Sequence, residues 1–166
     1  MSGQLADVLQ KQKKQMDHSY HDEKSEDITQ LVGFIIGEEE YAIPILNIQE
    51  IIKPIVYTRV PSTPGYVLGM FNLRGHVIPL IDLRKKFHIT PKNEDSETRY
   101  IVMKDEENIA GFVIDKLTEA IRLTSSQIDP APETLKKEKG MISGIGKRAK
   151  SIITILKVEE LLKRDF

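Results

Sequence analysis

With 166 residues, 40% of them hydrophobic, the chain holds one domain or two small closely packed ones and enough apolar material to build a core. Its 24 Lys and Arg balance 25 Asp and Glu, so a net charge of -1 offers no strong field to nucleic acid or to an anionic membrane surface. The absence of cysteine removes disulfides, thiol nucleophiles and thiolate metal sites together.

No apolar run approaches the roughly 20 residues of a membrane-spanning helix, and the N-terminus lacks the apolar core of a secretory signal. A cytoplasmic protein without direct membrane insertion is expected. Residues 1–28 are dominated by charge (Lys11, Lys13, Lys14, Asp17, Asp22, Glu23, Lys24, Glu26, Asp27) and read as a flexible N-terminal arm. Within it Leu5, Val8, Leu9 and Met16 fall near helical spacing, enough for a short amphipathic helix against a partner.

From Leu31 onward the text becomes short apolar runs separated by turn residues. Leu31 to Ile36, Tyr41 to Ile45, Ile51 to Val60, Tyr66 to Phe71 and Val77 to Leu83 form a first set. Tyr100 to Met103, Ile109 to Ile114, Ala120 to Leu123 and Ser151 to Leu156 form a second. Runs this short, rich in Ile and Val, predict strands. Only the end of the chain, about 157–165, has helical spacing, with Val158, Leu161 and Leu162 on one side.

The two sets also resemble each other. An offset of 69 carries Ile43, Ile45, Glu50, Ile52 and Pro61 onto Phe112, Ile114, Glu119, Ile121 and Pro130. An offset of 75 carries Gly69 onto Gly144, and Val77, Ile78, Leu80, Ile81 onto Ile152, Ile153, Ile155, Leu156. A duplicated unit with a loop of different length explains both offsets. Units of about 60 residues and five strands are the size of small β-barrels, which close to avoid exposed edges. The expected units are a first barrel over about 38–90 and a second over about 98–156, with a binding groove at their junction.

Catalytic constellations are not found. His18, His21, His76 and His88 have no metal-hydrolase spacing. Gly140, Gly144 and Gly146 before Lys147 miss the phosphate-loop pattern and lead into a strand, so they read as a glycine-rich hairpin. Lys136, Lys137, Lys139, Lys147, Arg148 and Lys150 have no interleaved aromatic and sit beside Glu133 and Glu138, as in an ordinary charged loop. Two alternatives stay open here: an SH3-like or OB-like barrel binding nucleic acid, and an enzyme assembled from dispersed carboxylates such as Glu50 and Asp82.

The most specific text is Tyr66 to Arg84, where two apolar strands flank Asn72-Leu73-Arg74-Gly75. Gly75 can take a positive backbone angle, and Arg74 at the tip can offer its planar fork to a carboxylate or carbonyl. This segment, led by Pro64-Gly65 and closed by Asp82-Leu83-Arg84, resembles the signature of the CheW-like family of chemotaxis adaptors. Glu40-Tyr41-Ala42-Ile43, Ile48-Gln49-Glu50-Ile51, Gly111 to Asp115 and Pro130 to Glu133 match other motifs of that family, in order, over about 29–166. Ala42, where Gly is frequent, and Met70-Phe71, where smaller residues are frequent, depart from it.

The resemblance implies an all-β fold: two five-stranded SH3-like β-barrel subdomains side by side, with a short C-terminal helix. It implies a non-enzymatic adaptor without cofactor or metal. Its partners would be the cytoplasmic tip of chemoreceptors and the regulatory domain of the CheA histidine kinase, in membrane-associated arrays. By position in the motifs, the receptor-binding groove would contain Ile48, Glu50, Gly69, Arg74, Gly111 and Leu117.

Overall fold

The computed structural model describes residues 6–9, 27–132 and 140–163. The chain forms eleven described strands: β1 (Ile28–Ile36), β2 (Glu39–Pro44), β3 (Ile48–Ile52), β4 (Val67–Leu73), β5 (His76–Asp82), β6 (Arg99–Asp105), β7 (Asn108–Ile114), β8 (Lys116–Thr124), β9 (Ile128–Asp129), β10 (Ile142–Arg148) and β11 (Ser151–Leu156). They make a six-stranded sheet in the order β8-β1-β2-β11-β10-β9 and a five-stranded sheet in the order β3-β6-β7-β5-β4. The fold is therefore all-β, and one sheet has a strand more than expected because of the two-residue β9.

Neither sheet is built from one continuous half of the chain. The hairpin β1-β2 of the first repeat pairs with β8 and β11, while the hairpin β6-β7 of the second pairs with β3 and β5. The boundaries 38–90 and 98–156 therefore do not coincide with the sheets; each sheet borrows the leading hairpin of the other repeat. The exchange is symmetric in register. Leu80 opposes Gly111 and Ile155 opposes Ala42; Ile52 opposes Tyr100 and Ile121 opposes Leu31. These are the same positions under the two offsets that relate the repeats.

Both faces of the central strands are buried, which is why the sequence shows continuous apolar runs. In β6, Tyr100 and Val102 join Phe71, Ile78, Leu80 and Val113 in a core belonging to the five-stranded sheet. Ile101 and Met103, pointing the other way, join residues of both sheets in the largest core. Leu31, Ala42, Ile121, Leu123, Ile153 and Ile155 fill the six-stranded sheet.

The run Ile51 to Val60 is not one strand: β3 ends at Ile52, and the following segment pairs with the sheet only at the Thr58–Met70 bridge. Gly144 lies in β10, a strand hidden behind the glycine-rich text. A Cβ on Gly144 would stand 2.8 Å from the carbonyl oxygen of Asp129, and one on Gly69 would sit inside the carbonyl oxygen of Thr58, so both repeats use glycine for a close backbone crossing. The C-terminal helix spans Val158–Leu161, shorter than expected, and buries Val158 and Leu161 in the largest core; residues 164–166 lie outside the described residues. A short helix, Leu83–Lys86, follows β5. Of the expected arm, residues 6–9 form a helical turn and bury Leu9 in the largest core. Leu5, Met16 and the charged residues from Lys11 to Glu26 lie outside the described residues.

Candidate functional site

Arg74 and Glu50 are brought together. Arg74 and Gly75 have φ of 53° and 87°, the positive pair that a two-residue type I′ hairpin requires, and the backbone N–H of Gly75 donates to Asn72 Oδ1 at 3.0 Å. The turn carries Arg74 back over the sheet, where its Nε and Nη2 donate to Glu50 Oε2 and Oε1 at 3.0 and 3.2 Å. Both ends of this fork-to-carboxylate contact stay reachable, since the Arg74 side chain is 76% and the Glu50 side chain 21% exposed. Hydrogen bonding to Glu50, then its charge, holds the Arg74 guanidinium above its ordinary pKa against a slight burial effect.

Gly69 and Gly111 lie in the same cross-strand row as Glu50. The row runs Glu50, Val102, Gly111, Leu80, Gly69 over all five strands. At Gly111 a Cβ would stand 2.8 Å from two ring carbons of Phe71, so the glycine is what lets that ring pack against β7. Gly111 thus admits the Phe71 ring, and Gly69 admits the Thr58–Arg59 backbone against β4.

Ile48 and Leu117 serve the junction of the sheets. An irregularity in β3 between Ile48 and Glu50 buries Ile48 in the largest core while leaving Glu50 partly open. Leu117, opposite Phe34 in β8, is partly buried against that same core. A surface cavity of about 270 Å³ adjoins Ile48, lined also by Leu46, Asn47, Gln49, Lys104 and Glu106.

Two clusters escaped the sequence reading. Glu119, the copy of Glu50, is contacted by Arg148 at the β10-β11 turn, as Glu50 is by Arg74 at the β4-β5 turn. Arg148 also donates to Glu40 at 2.7 Å, and Thr118 Oγ1 donates to the other Glu40 oxygen at 2.6 Å. The repeated Glu was a usable signal; the arginine, one place out of register, hid the match. The second cluster is buried. Arg84 donates to both oxygens of Asp82 at 3.0 and 3.2 Å, to Asp115 at 3.0 Å and to the Lys92 carbonyl at 2.8 Å. Asp115 accepts in turn from the backbone N–H of Gly37 in the β1-β2 turn at 2.8 Å. Burial opposes the Arg84 charge, but the two carboxylates outweigh it and raise its pKa.

Glu50 and Asp82, the carboxylates a dispersed enzymatic site would use, are each bound to an arginine. Among the described residues no group of three His, Asp or Glu is placed to hold a metal ion, and no helix is long and apolar enough to cross a membrane.

The family model described as a CheW-like domain matches residues 30–166. Chemotaxis protein CheW of Helicobacter pylori is 55% identical over 166 residues, covering 100% of both chains. Chemotaxis protein CheW of Klebsiella aerogenes is 37% identical over 135 residues, covering 80% of each. Among solved structures, the scaffolding protein TtCheW of Thermoanaerobacter tengcongensis superposes with a TM-score of 0.78 at 30% identity, over 84% of this chain and 95% of that one. With motifs, strand topology and relatives in agreement along nearly the whole length, the chain belongs to the CheW-like family of chemotaxis scaffolds.

Proposed function

We propose that the chain is a cytoplasmic, non-enzymatic adaptor that holds a chemoreceptor tip and the regulatory domain of a CheA-type kinase at the same time, coupling one to the other in arrays at the membrane. The observation that carries this reading is the exposed, bidentate Arg74–Glu50 pair over the five-stranded sheet, with Ile48, two residues before Glu50, at the junction of the sheets. A helical receptor tip laid along that junction meets the pair at its polar rim and the apolar material around Ile48 and Leu117 at its centre.

The kinase side is apolar. Ile55, Val56, Tyr57 and Val60, in the segment after β3, are all exposed, Val56 at 91%, and form the largest run of exposed apolar side chains in the described residues. That strip suits a barrel-to-barrel contact with a related regulatory domain. The relatives support the reading, being named as chemotaxis proteins and as a scaffold.

A competition titration tests it. Labelled receptor signalling fragment is bound first and the kinase regulatory domain is then added; a ternary complex is the expected result. Clean displacement of the receptor fragment would mean that both partners use one surface, which an adaptor cannot do.

A further inference from the structure

The parallel seam between β2 and β11, where the borrowed hairpin of the first repeat meets the second, is short. It pairs only Tyr41 with Thr154 and Ala42 with Ile155, whereas the equivalent seam between β5 and β7 has three pairs. Before those pairs the two strands run on without pairing to each other, Glu39 and Glu40 on one side and Ser151 to Ile153 on the other. The opening is a cavity of about 620 Å³. Among the described residues the apolar part of its lining is Ile142, which is buried, Ile35 and Ile145, which are half-buried, Ile152, which is 68% exposed, and Pro132.

The rim is acidic and incompletely neutralised. Glu40 is paired with Arg148, but Glu38 and Glu39 form no ion pair among the described residues; Glu39 accepts only from the Tyr41 hydroxyl. The equivalent seam between β5 and β7 does not reproduce this combination, because the offsets place Glu107 and Asn108 at the positions of Glu38 and Glu39, and the smaller Val77 at that of Ile152.

We infer that this cleft is a docking site for an extended segment of a partner protein in which an apolar side chain is flanked by lysine or arginine. The apolar side chain covers Ile145 and Ile152 and enters the cavity, the flanking cations pair with Glu38 and Glu39, and the segment's backbone lies along the strand ends that do not pair across the seam. Charge complementarity selects such a segment over an acidic one. None of the cleft residues belongs to the Arg74–Glu50 pair, so the site goes beyond the proposed receptor and kinase contacts and stands or falls separately.

The test is a titration of the isotope-labelled full chain with the capped peptide Lys-Leu-Lys-Ile-Lys, followed by backbone amide shifts, with Glu-Leu-Glu-Ile-Glu as control. Saturable shifts should cluster at 35–42 and 142–154, and binding should weaken about ten-fold or more in Glu38→Lys/Glu39→Lys and in Ile152→Asp. Both variants alter exposed side chains, and their amide spectra report whether the fold is kept; Arg74→Ala should bind the peptide as the parent does. Equal binding of the acidic peptide, shifts centred elsewhere, or no saturable shift would overturn the inference. So would cleft shifts that appear on concentrating the chain alone, which would make a second copy the occupant, or on removing residues 10–26, which would make it the chain's own segment.

Discussion

Arg74 grips both carboxylate oxygens of Glu50 from a turn that projects into solvent. Exposed ion pairs add little to folding because water and salt screen them. Arg74→Ala should therefore keep the parental melting temperature to within about 2 °C. Binding of a receptor signalling fragment, measured by calorimetry, should nevertheless fall about ten-fold or more, since the fork is lost where an interface would shield it. Equal affinity for parent and variant would remove Arg74 from the contact.

Arg84 should behave in the opposite way. Its side chain is 8% exposed and neutralises Asp82 and Asp115, exposed by 3% and 2%. Arg84→Met leaves two buried carboxylates without a cation, a change that costs about 3–5 kcal/mol in comparable buried networks. Urea unfolding should show that loss, and adding Asp82→Asn and Asp115→Asn to the same chain should recover much of it.

The borrowed hairpins make a prediction about fragments. Residues 1–90 retain β1 and β2 but lack β8 and β11, the strands those two pair with; residues 98–166 retain β6 and β7 but lack β3 and β5. Each fragment alone should show little amide protection, and mixing the two should restore the spectrum of the intact chain. Independent folding of either would contradict the pairing.

Tyr100 supplies a test at high pH. Burial in the core of the five-stranded sheet, helped by the charge of Glu94 and by Tyr57, pushes its phenol up to about 12. The protonated form is the one the fold favours, so this contribution is fully present below the unfolded value near 10 and is lost as pH rises through about 12. Phenolate absorbance should contain a late step for Tyr100, and Tyr100→Phe should remove that step and flatten the fall in stability over the same range.

Much of this architecture could be read in the residues, for physical reasons. Short Ile- and Val-rich runs fixed the all-β class, and the paired offsets revealed the duplication because both copies need the same residues at the same crossings, as Gly69 and Gly144 show. What local pattern could not supply was which strands pair. An apolar strand buried on both faces fits its own half or the other equally well, and nothing in β1 or β6 marks it as destined for the opposite sheet. The motif residues divide similarly. Glu50 and Arg74 meet, Gly69 and Gly111 share their row, and Ile48 and Leu117 go to the junction, but sequence spacing alone does not reveal that Arg148 recreates the Arg74 contact one repeat later. Leu9 shows the limit from the other side: a charged neighbourhood masks a single apolar residue that reaches the core.

The exchanged hairpins also decide how the molecule carries load. In two barrels merely resting against each other, a pull on one surface would be resisted by side-chain packing, and the contact could pivot. Here each sheet contains strands from both repeats, so a pull that separates one repeat from the other is taken up by backbone hydrogen bonds in β1-β8, β2-β11, β3-β6 and β5-β7. The two repeats therefore cannot be drawn apart without unzipping both sheets, whereas the sheets themselves meet through the side chains of the largest core.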